Sequence, residues 1–359
     1  MDRVRGWLPA LLLLGVFVVE NPQCGDGAAG HQQLAVFYLE HGQHERALVE
    51  ARRAMRQDPS DASPYLIAAL AYVGQKRLPA AVEVLAQAIR LNPRAAQPYA
   101  TLREICRRER RFDLARQTFA DLLAEHPDNP QVQAGLGWSL VQLGEDAPAV
   151  EYLAQACGQA EAGVFPCLQL GRLYLRQERS TEASQALEQA LGRAPGDPEL
   201  LVALGECALR LHDQALAETR FGQAVTASRT PQSTSVDIGQ VYYDLGQRTQ
   251  AIAYYERAMQ QGTPDPLLQN NLAWTYAEEG IQLDRALELS LQAVKSEADN
   301  VVYLDTYAEV LHLSGRHVRA LAVIRRACAL EPEGGENYQY LQEQLEKLGR
   351  AAAAIAQRR

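Results

Sequence analysis

Small residues recur along this chain at a fixed interval of 34 positions. One column reads Ala47, Ala81, Ala115, Ala149, Ala183, Ala217 and Ala251, and after one inserted residue continues at Ala286 and Ala320. Seven residues later stand Ala54, Ala88, Leu122, Ala156, Ala190, Ala224, Ala258, Ala293 and Ala327. Twelve or thirteen residues before the first column come Ala35, Ala69, Arg103, Gly137, Gly171, Gly205, Gly239, Ala273 and Ala308. Bulky columns separate the small ones, with Leu34, Leu102, Leu136, Leu170, Leu204, Ile238 and Leu272 in one and Tyr38, Tyr72, Tyr174, Tyr242 and Tyr276 in another. Small residues let two helix backbones approach closely, and large residues at helical spacing fill the volume that remains. Each period therefore predicts a helical hairpin.

Turn and stop signals fall where such hairpins need them. Gly42, Gly144, Gly246, Gly280 and Gly315 separate the two helices, while Pro59, Pro93, Pro127, Pro195 and Pro332 close the second, because proline cannot continue the hydrogen-bond ladder. Nine periods follow one another at 28–61, 62–95, 96–129, 130–163, 164–197, 198–231, 232–265, 266–300 and 301–334. A capping helix is predicted over 335–349, with Tyr338, Leu341, Leu345 and Leu348 on one face, and a tail over 350–359, either a helical extension or frayed. Three junctions lack the closing proline, at Glu161, Arg229 and Ala298, and are expected to stack irregularly. Arg103 interrupts a small-residue column, so its hairpin must open slightly or let the arginine stem snorkel to solvent.

The pattern Leu-Gly-x-x-Tyr, Gly, Ala, bulky residue, Ala, Pro resembles the tetratricopeptide repeat family, whose motif is also about 34 residues long. The likeness is clearest at Leu170, Gly171, Tyr174, Ala183, Leu187, Ala190 and Pro195, and again at Ile238, Gly239, Tyr242, Gly246, Ala251, Tyr255 and Ala258. It implies an all-α fold, a right-handed α-solenoid of about nine hairpins whose first helices line a concave channel for peptides or partner segments.

In this register Val36, Leu39, Leu66, Ile67, Leu70 and Val73 make the first end of the channel apolar. Arg107, Arg108, Arg172, Arg176 and Arg210 make its middle basic, unless Glu104, Glu109 and Glu206 pair with them. Trp138, Tyr243 and Trp274 are candidate aromatic anchors, and Asp244, Glu278 and Glu309 return acid to the far end. The family's carboxylate clamp is not expected, since Asn270 and Asn271 stand alone in their columns.

The first 24 residues carry a different signal. Arg3 and Arg5 precede an apolar run from Trp7 to Val19, broken by Glu20, Asn21 and Pro22, which reads as a secretory signal or a short N-terminal anchor. Cys24 stands where bacterial lipoproteins carry their lipidated cysteine, but Gln23 and Asn21 fit that signal poorly; cleavage after Ala29 and retention of the segment are the alternatives. An exported chain, periplasmic or associated with the outer membrane, is expected. In an oxidising compartment Cys157 and Cys167, which bracket a proline-less junction, would form a disulfide; otherwise they serve as two buried thiols.

Composition narrows the chemistry. With 35 basic and 44 acidic residues the net charge is −9, which argues against nucleic acid as a partner. The seven histidines are scattered, and no metal-ligand set, nucleophile elbow or phosphate-binding glycine loop is found, so no metal, cofactor or catalytic residue is expected. The function expected is a non-enzymatic interaction scaffold of the cell envelope, one version being a pilotin-like assembly factor. The alternative is a regulatory or recruiting subunit of an enzyme complex such as envelope polysaccharide synthesis.

Overall fold

The computed structural model describes residues 27–356; the signal segment and Cys24 lie outside them. Among the described residues there are nineteen α-helices, one 3-10 turn and no strand. Two compact units divide the chain, one ending at Pro195 and the other beginning at Gly196.

The first unit holds five helix pairs: α1 (Ala28–Glu40) with α2 (His44–Gln57), α3 (Ser63–Gly74) with α4 (Leu78–Leu91), α5 (Ala96–Arg108) with α6 (Phe112–Glu125), α7 (Pro130–Gln142) with α8 (Asp146–Gly158), and α9 (Phe165–Arg176) with α10 (Ser180–Arg193). The second holds α11 (Pro198–Arg210) with α12 (Gln214–Ala227), α13 (Pro231–Asp244) with α14 (Arg248–Gln261), α15 (Pro266–Glu278) with α16 (Leu283–Ser296), α17 (Val301–Leu313) with α18 (His317–Leu330), and α19 (Tyr338–Ala356), which packs on α18. First helices also pack on first helices, α1 on α3, α3 on α5, α5 on α7 and α7 on α9 in one unit, α11 on α13 and α15 on α17 in the other. The result is an all-α repeat solenoid.

The alanine column explains the pairing. All nine alanines from Ala47 to Ala320 are 0% exposed, so each sits where its helix meets a neighbour. Opposite the small residues stand the large ones: a Cβ added to Gly205 would lie 2.2 Å from Phe221, and one added to Gly171 would lie 2.6 Å from Leu187. A single methyl group is thus excluded from those contacts by the ring or side chain that fills them.

Each hairpin turns on a residue in the left-handed region, Gly42, Gly144, Gly246, Gly280 and Gly315 at five turns but Lys76, Arg110, Glu178 and His212 at the other four. Those four non-glycine turns carry no sequence signal. Four of the nine first helices are capped by side chains, Asn129, Asp197, Asp265 and Asn300, each accepting from backbone N–H of the opening turn.

The proline-less junction after α8 is the most altered. Ala160–Ala162 form the 3-10 turn, and Cys157 at the end of α8 is disulfide-bonded to Cys167 in α9. Arg193 fastens the same loop, donating to the Cys157 carbonyl at 2.6 Å and the Gly163 carbonyl at 2.9 Å. Cys106 and Cys207 are buried thiols, and burial pushes Cys106 up to about 12.

Of the two courses expected, the hairpin opens, α5 and α6 being the most loosely packed of the nine pairs, and Arg103 does not snorkel. Its guanidinium does not reach solvent but lies over the Phe165 ring, 3.8 Å from the centroid, with one terminal nitrogen buried and unpartnered. Desolvation lowers its pKa to about 10, which still leaves it charged at neutral pH, and the ring face supplies the compensation.

Candidate functional site

The residues assigned to the channel divide into covered, neutralised and available groups. Val36, Leu70 and Trp138 are only 4–5% exposed and serve packing, while Val73 is half-buried. Trp138 corrects the anchor assignment: the Phe112 ring meets it edge-on at 5.9 Å and helps remove it from water.

The central arginines do not form a bare basic strip. Glu104 accepts from Arg107 at 2.8 Å and from Arg108 at 2.7 Å, Asp146 accepts from Arg176 at 2.6 Å, and Glu206 accepts from Arg210 at 2.8 Å. Burial would raise the Glu104 carboxyl, but hydrogen bonds from both arginines outweigh it and hold it below its usual range. Arg172 is exposed and also engaged. An acidic partner would have to displace those carboxylates, so the advantage expected of this stretch is largely spent.

Tyr243 and Trp274 stand apart. Both are half-buried in the second unit, where they wall a cavity of about 270 Å³. Helix α13 contributes Gln240 and Tyr243, α14 Tyr255, α15 Asn270, Asn271, Trp274 and Thr275, α17 Val302, Asp305 and Thr306, and α19 Tyr340. The indole Nε1 of Trp274 donates to the Tyr243 hydroxyl at 2.7 Å. Arg248 lies over the Tyr243 ring at 3.8 Å and is paired with Glu278 at 2.9 Å. The aromatic wall is therefore fixed from behind, with long side chains already immobilised before any ligand arrives.

Two polar groups distinguish the floor. Asn270 is 5% exposed and its carboxamide oxygen is buried without a partner, a condition that costs about 1–3 kcal/mol when nothing relieves it. Asp305, one repeat further on, accepts from the Tyr340 hydroxyl at 3.1 Å. Burial raises its carboxyl to about 6 against that hydrogen bond, with Glu309 adding like charge and Lys347 opposing it. Lys347 is itself committed to Glu309 at 2.8 Å.

Asp305, Thr306 and Tyr340 had not been singled out by the repeat pattern, although a signal existed for the first. From the second repeat on its column reads Leu66, Ala100, Ala134, Leu168, Val202 and Val236 before turning polar at Asn270 and Asp305, Gln32 being its member in the first repeat. Polar residues that end an apolar run in a helical column mark a wall that faces something other than core. Tyr340 belongs to the helix beyond the last hairpin, where the register gives no column to compare.

Family models described as tetratricopeptide repeat match residues 33–96 and 168–233, 107–160, and 234–260. The human protein O-mannosyl-transferase TMTC1 is 29% identical over 195 residues, which span 52% of this chain and 21% of that protein. Anaphase-promoting complex subunit 6 of Arabidopsis thaliana is 31% identical over 123 residues, 32% of this chain and 22% of its own. The chain thus spans about a fifth of the length of these curated relatives. A tetratricopeptide repeat protein from Parabacteroides merdae, solved by crystallography, superposes with a TM-score of 0.49 at 16% identity, covering 69% of this chain and 97% of that one.

Proposed function

The chain belongs to the tetratricopeptide repeat family, a family of protein-interaction scaffolds, and we propose that it uses the cavity of its second unit to hold an extended segment of a protein partner. The observation that carries this reading is the Tyr243–Trp274 wall. It is the aromatic part of the predicted channel that stays partly open to solvent, and it is pre-set by Arg248 and Glu278. Rigid aromatics at a concave site supply contact area at little entropic cost.

We further infer that the chain acts in the cell envelope, exported by its first 24 residues or held there through them. What supports this is the Arg-flanked apolar run, together with the Cys157–Cys167 disulfide, a bond that persists in oxidising compartments. Fractionation with labelled palmitate tests it directly: label on the wild-type chain that Cys24→Ser loses assigns lipidation to Cys24, and a soluble cytosolic chain refutes export.

Two roles fit such a scaffold, assembly of an envelope structure in the pilotin manner and recruitment of a biosynthetic enzyme. Affinity capture from crosslinked envelope extracts tests the scaffold reading and separates them, using the wild-type chain and Val302→Arg, which plugs the cavity mouth. A structural subunit lost from the variant supports assembly, and an enzyme lost from it supports recruitment. Identical captures by both proteins would refute the cavity as the docking site.

A further inference from the structure

The cavity carries acceptors that the wall does not satisfy. Several of its donors are engaged within the wall: Trp274 gives its N–H to Tyr243, Tyr255 gives its hydroxyl to Gln240, and Tyr340 gives its hydroxyl to Asp305. Gln240 in turn donates to Asp244 at 2.7 Å, and Thr275 to the Asn271 carbonyl at 2.7 Å. Acceptors are left over. The Asn270 carboxamide oxygen has no partner, and the Asp305 carboxylate receives one hydrogen bond among the described residues.

Charge has the same sense. Asp305 is the one carboxylate among the lining residues, and no Lys, Arg or His lines the cavity. The nearby cations, Arg248 and Lys347, are each bound to a carboxylate of their own, Glu278 and Glu309. A cavity of about 270 Å³ falls just below the roughly 300–1,000 Å³ of sites for drug-sized ligands, and so suits one long side chain.

We propose that the cavity takes a basic side chain, arginine or lysine, from the bound partner segment, with its N–H groups donating to Asp305 and Asn270 and its charge beside Trp274. This rests on the reading of the chain as a scaffold for partner segments. Charge-assisted hydrogen bonds in a half-buried site, added to an aromatic wall, make the cation the ligand that answers each unsatisfied group at once.

Calorimetric titration of the full chain tests the assignment. The probes are acetylated, amidated heptapeptides Gly-Ser-Gly-X-Gly-Ser-Gly with X as arginine, lysine, citrulline or glutamate, at pH 7.5. The arginine and lysine peptides are expected to bind at least about tenfold more tightly than the citrulline and glutamate peptides, because only they bring a positive charge. Asp305→Asn should lose a similar factor. Asn270→Val, which restores the residue of the preceding repeat at Val236, should weaken both basic peptides, and Val318→Ser, on α18 and 71% exposed, should change nothing. Circular dichroism confirms that each variant is folded.

Equal affinity for arginine and citrulline, unchanged binding by folded Asp305→Asn, or no binding of any peptide would each overturn the proposal. A captured partner lacking a basic residue at the cavity would remove this inference and leave the scaffold intact. Selective arginine binding without any captured partner would do the reverse.

Discussion

Trp274 donates its indole N–H to the hydroxyl of Tyr243, 31 residues earlier in the chain, at 2.7 Å. The bond joins first helices of successive repeats, α13 and α15, and sets the spacing of the cavity's aromatic wall. Trp138 occupies the same repeat column as Trp274 but is only 5% exposed, beside Phe112. Two tryptophans in one register thus have different duties.

Urea unfolding should separate them. Trp138→Ala leaves a large buried void, with an expected loss of about 3–5 kcal/mol. Trp274→Phe keeps most of the ring and deletes one hydrogen bond, for about 0.5–1.5 kcal/mol. Equal losses would mean that both residues are core.

Two glycines in the second unit make a paired test of the close helix contacts. Gly205→Ala places a methyl group 2.2 Å from Phe221, whose ring is itself packed edge-on against Tyr242 at 5.4 Å. Overpacking of this kind costs about 1–3 kcal/mol in spite of alanine's better helix propensity. An added Cβ at Gly222, inside α12, meets no atom within 4 Å, so Gly222→Ala should stabilise by about 0.5–1 kcal/mol. Thermal or urea denaturation of the two variants reads both signs.

How much of this was legible beforehand depended on where the decisive partner lay. The alanine column could be read because helix contact demands small residues at every repeat, and all nine are buried. The turns at Lys76, Arg110, Glu178 and His212 could not, since their left-handed backbone is imposed by the repeat without glycine to announce it. Arg103 was visible as an anomaly, but its compensation by Phe165 comes from two hairpins further on. For Trp138 the register fixed the direction of the side chain and said nothing of Phe112 above it. The cavity was half legible: Tyr243 and Trp274 had been placed together, whereas Asp305 required comparison with its apolar column and Tyr340 lies beyond the repeats.

The disulfide at the altered junction closes a loop with a sequence separation of 10. Replacing both Cys157 and Cys167 by alanine should lower stability by about 2–3 kcal/mol, chiefly by freeing the unfolded chain. Reductant should have a comparable effect on the wild type and none on the variant, as measured by denaturation with and without dithiothreitol. An unchanged wild type under reduction would mean that Arg193, with Gln189 donating to the Cys157 carbonyl at 3.3 Å, holds the loop unaided.

Stability and pH are linked through Asp305, which faces Tyr340, Glu309 and Lys347. Its folded pKa is raised to about 6, so between about pH 4 and 6 the folded chain binds a proton that the unfolded chain has lost. Stability from this group is therefore fully present below that window and falls as pH rises through it. Asp305→Asn should accordingly be more stable than wild type by about 1–2 kcal/mol at pH 7.5, with the gap closing toward pH 4. Chemical denaturation at the two pH values checks the sign, and a variant less stable at pH 7.5 would show the carboxylate to be stabilising. A charge that weakens the fold and faces a cavity is the pattern expected where binding has been favoured over stability.

The claim that a partner segment docks in the cavity of the second unit is tested most directly by site-specific photo-crosslinking in cells. A photoreactive residue at Val302, at the cavity wall and 51% exposed, is compared with one at Val318, away from it and 71% exposed. A discrete adduct from position 302, absent from 318 and diminished by Trp274→Ala in a chain that still folds, is the result predicted. Adducts of equal yield at both positions, or an adduct at 302 indifferent to Trp274, would contradict it.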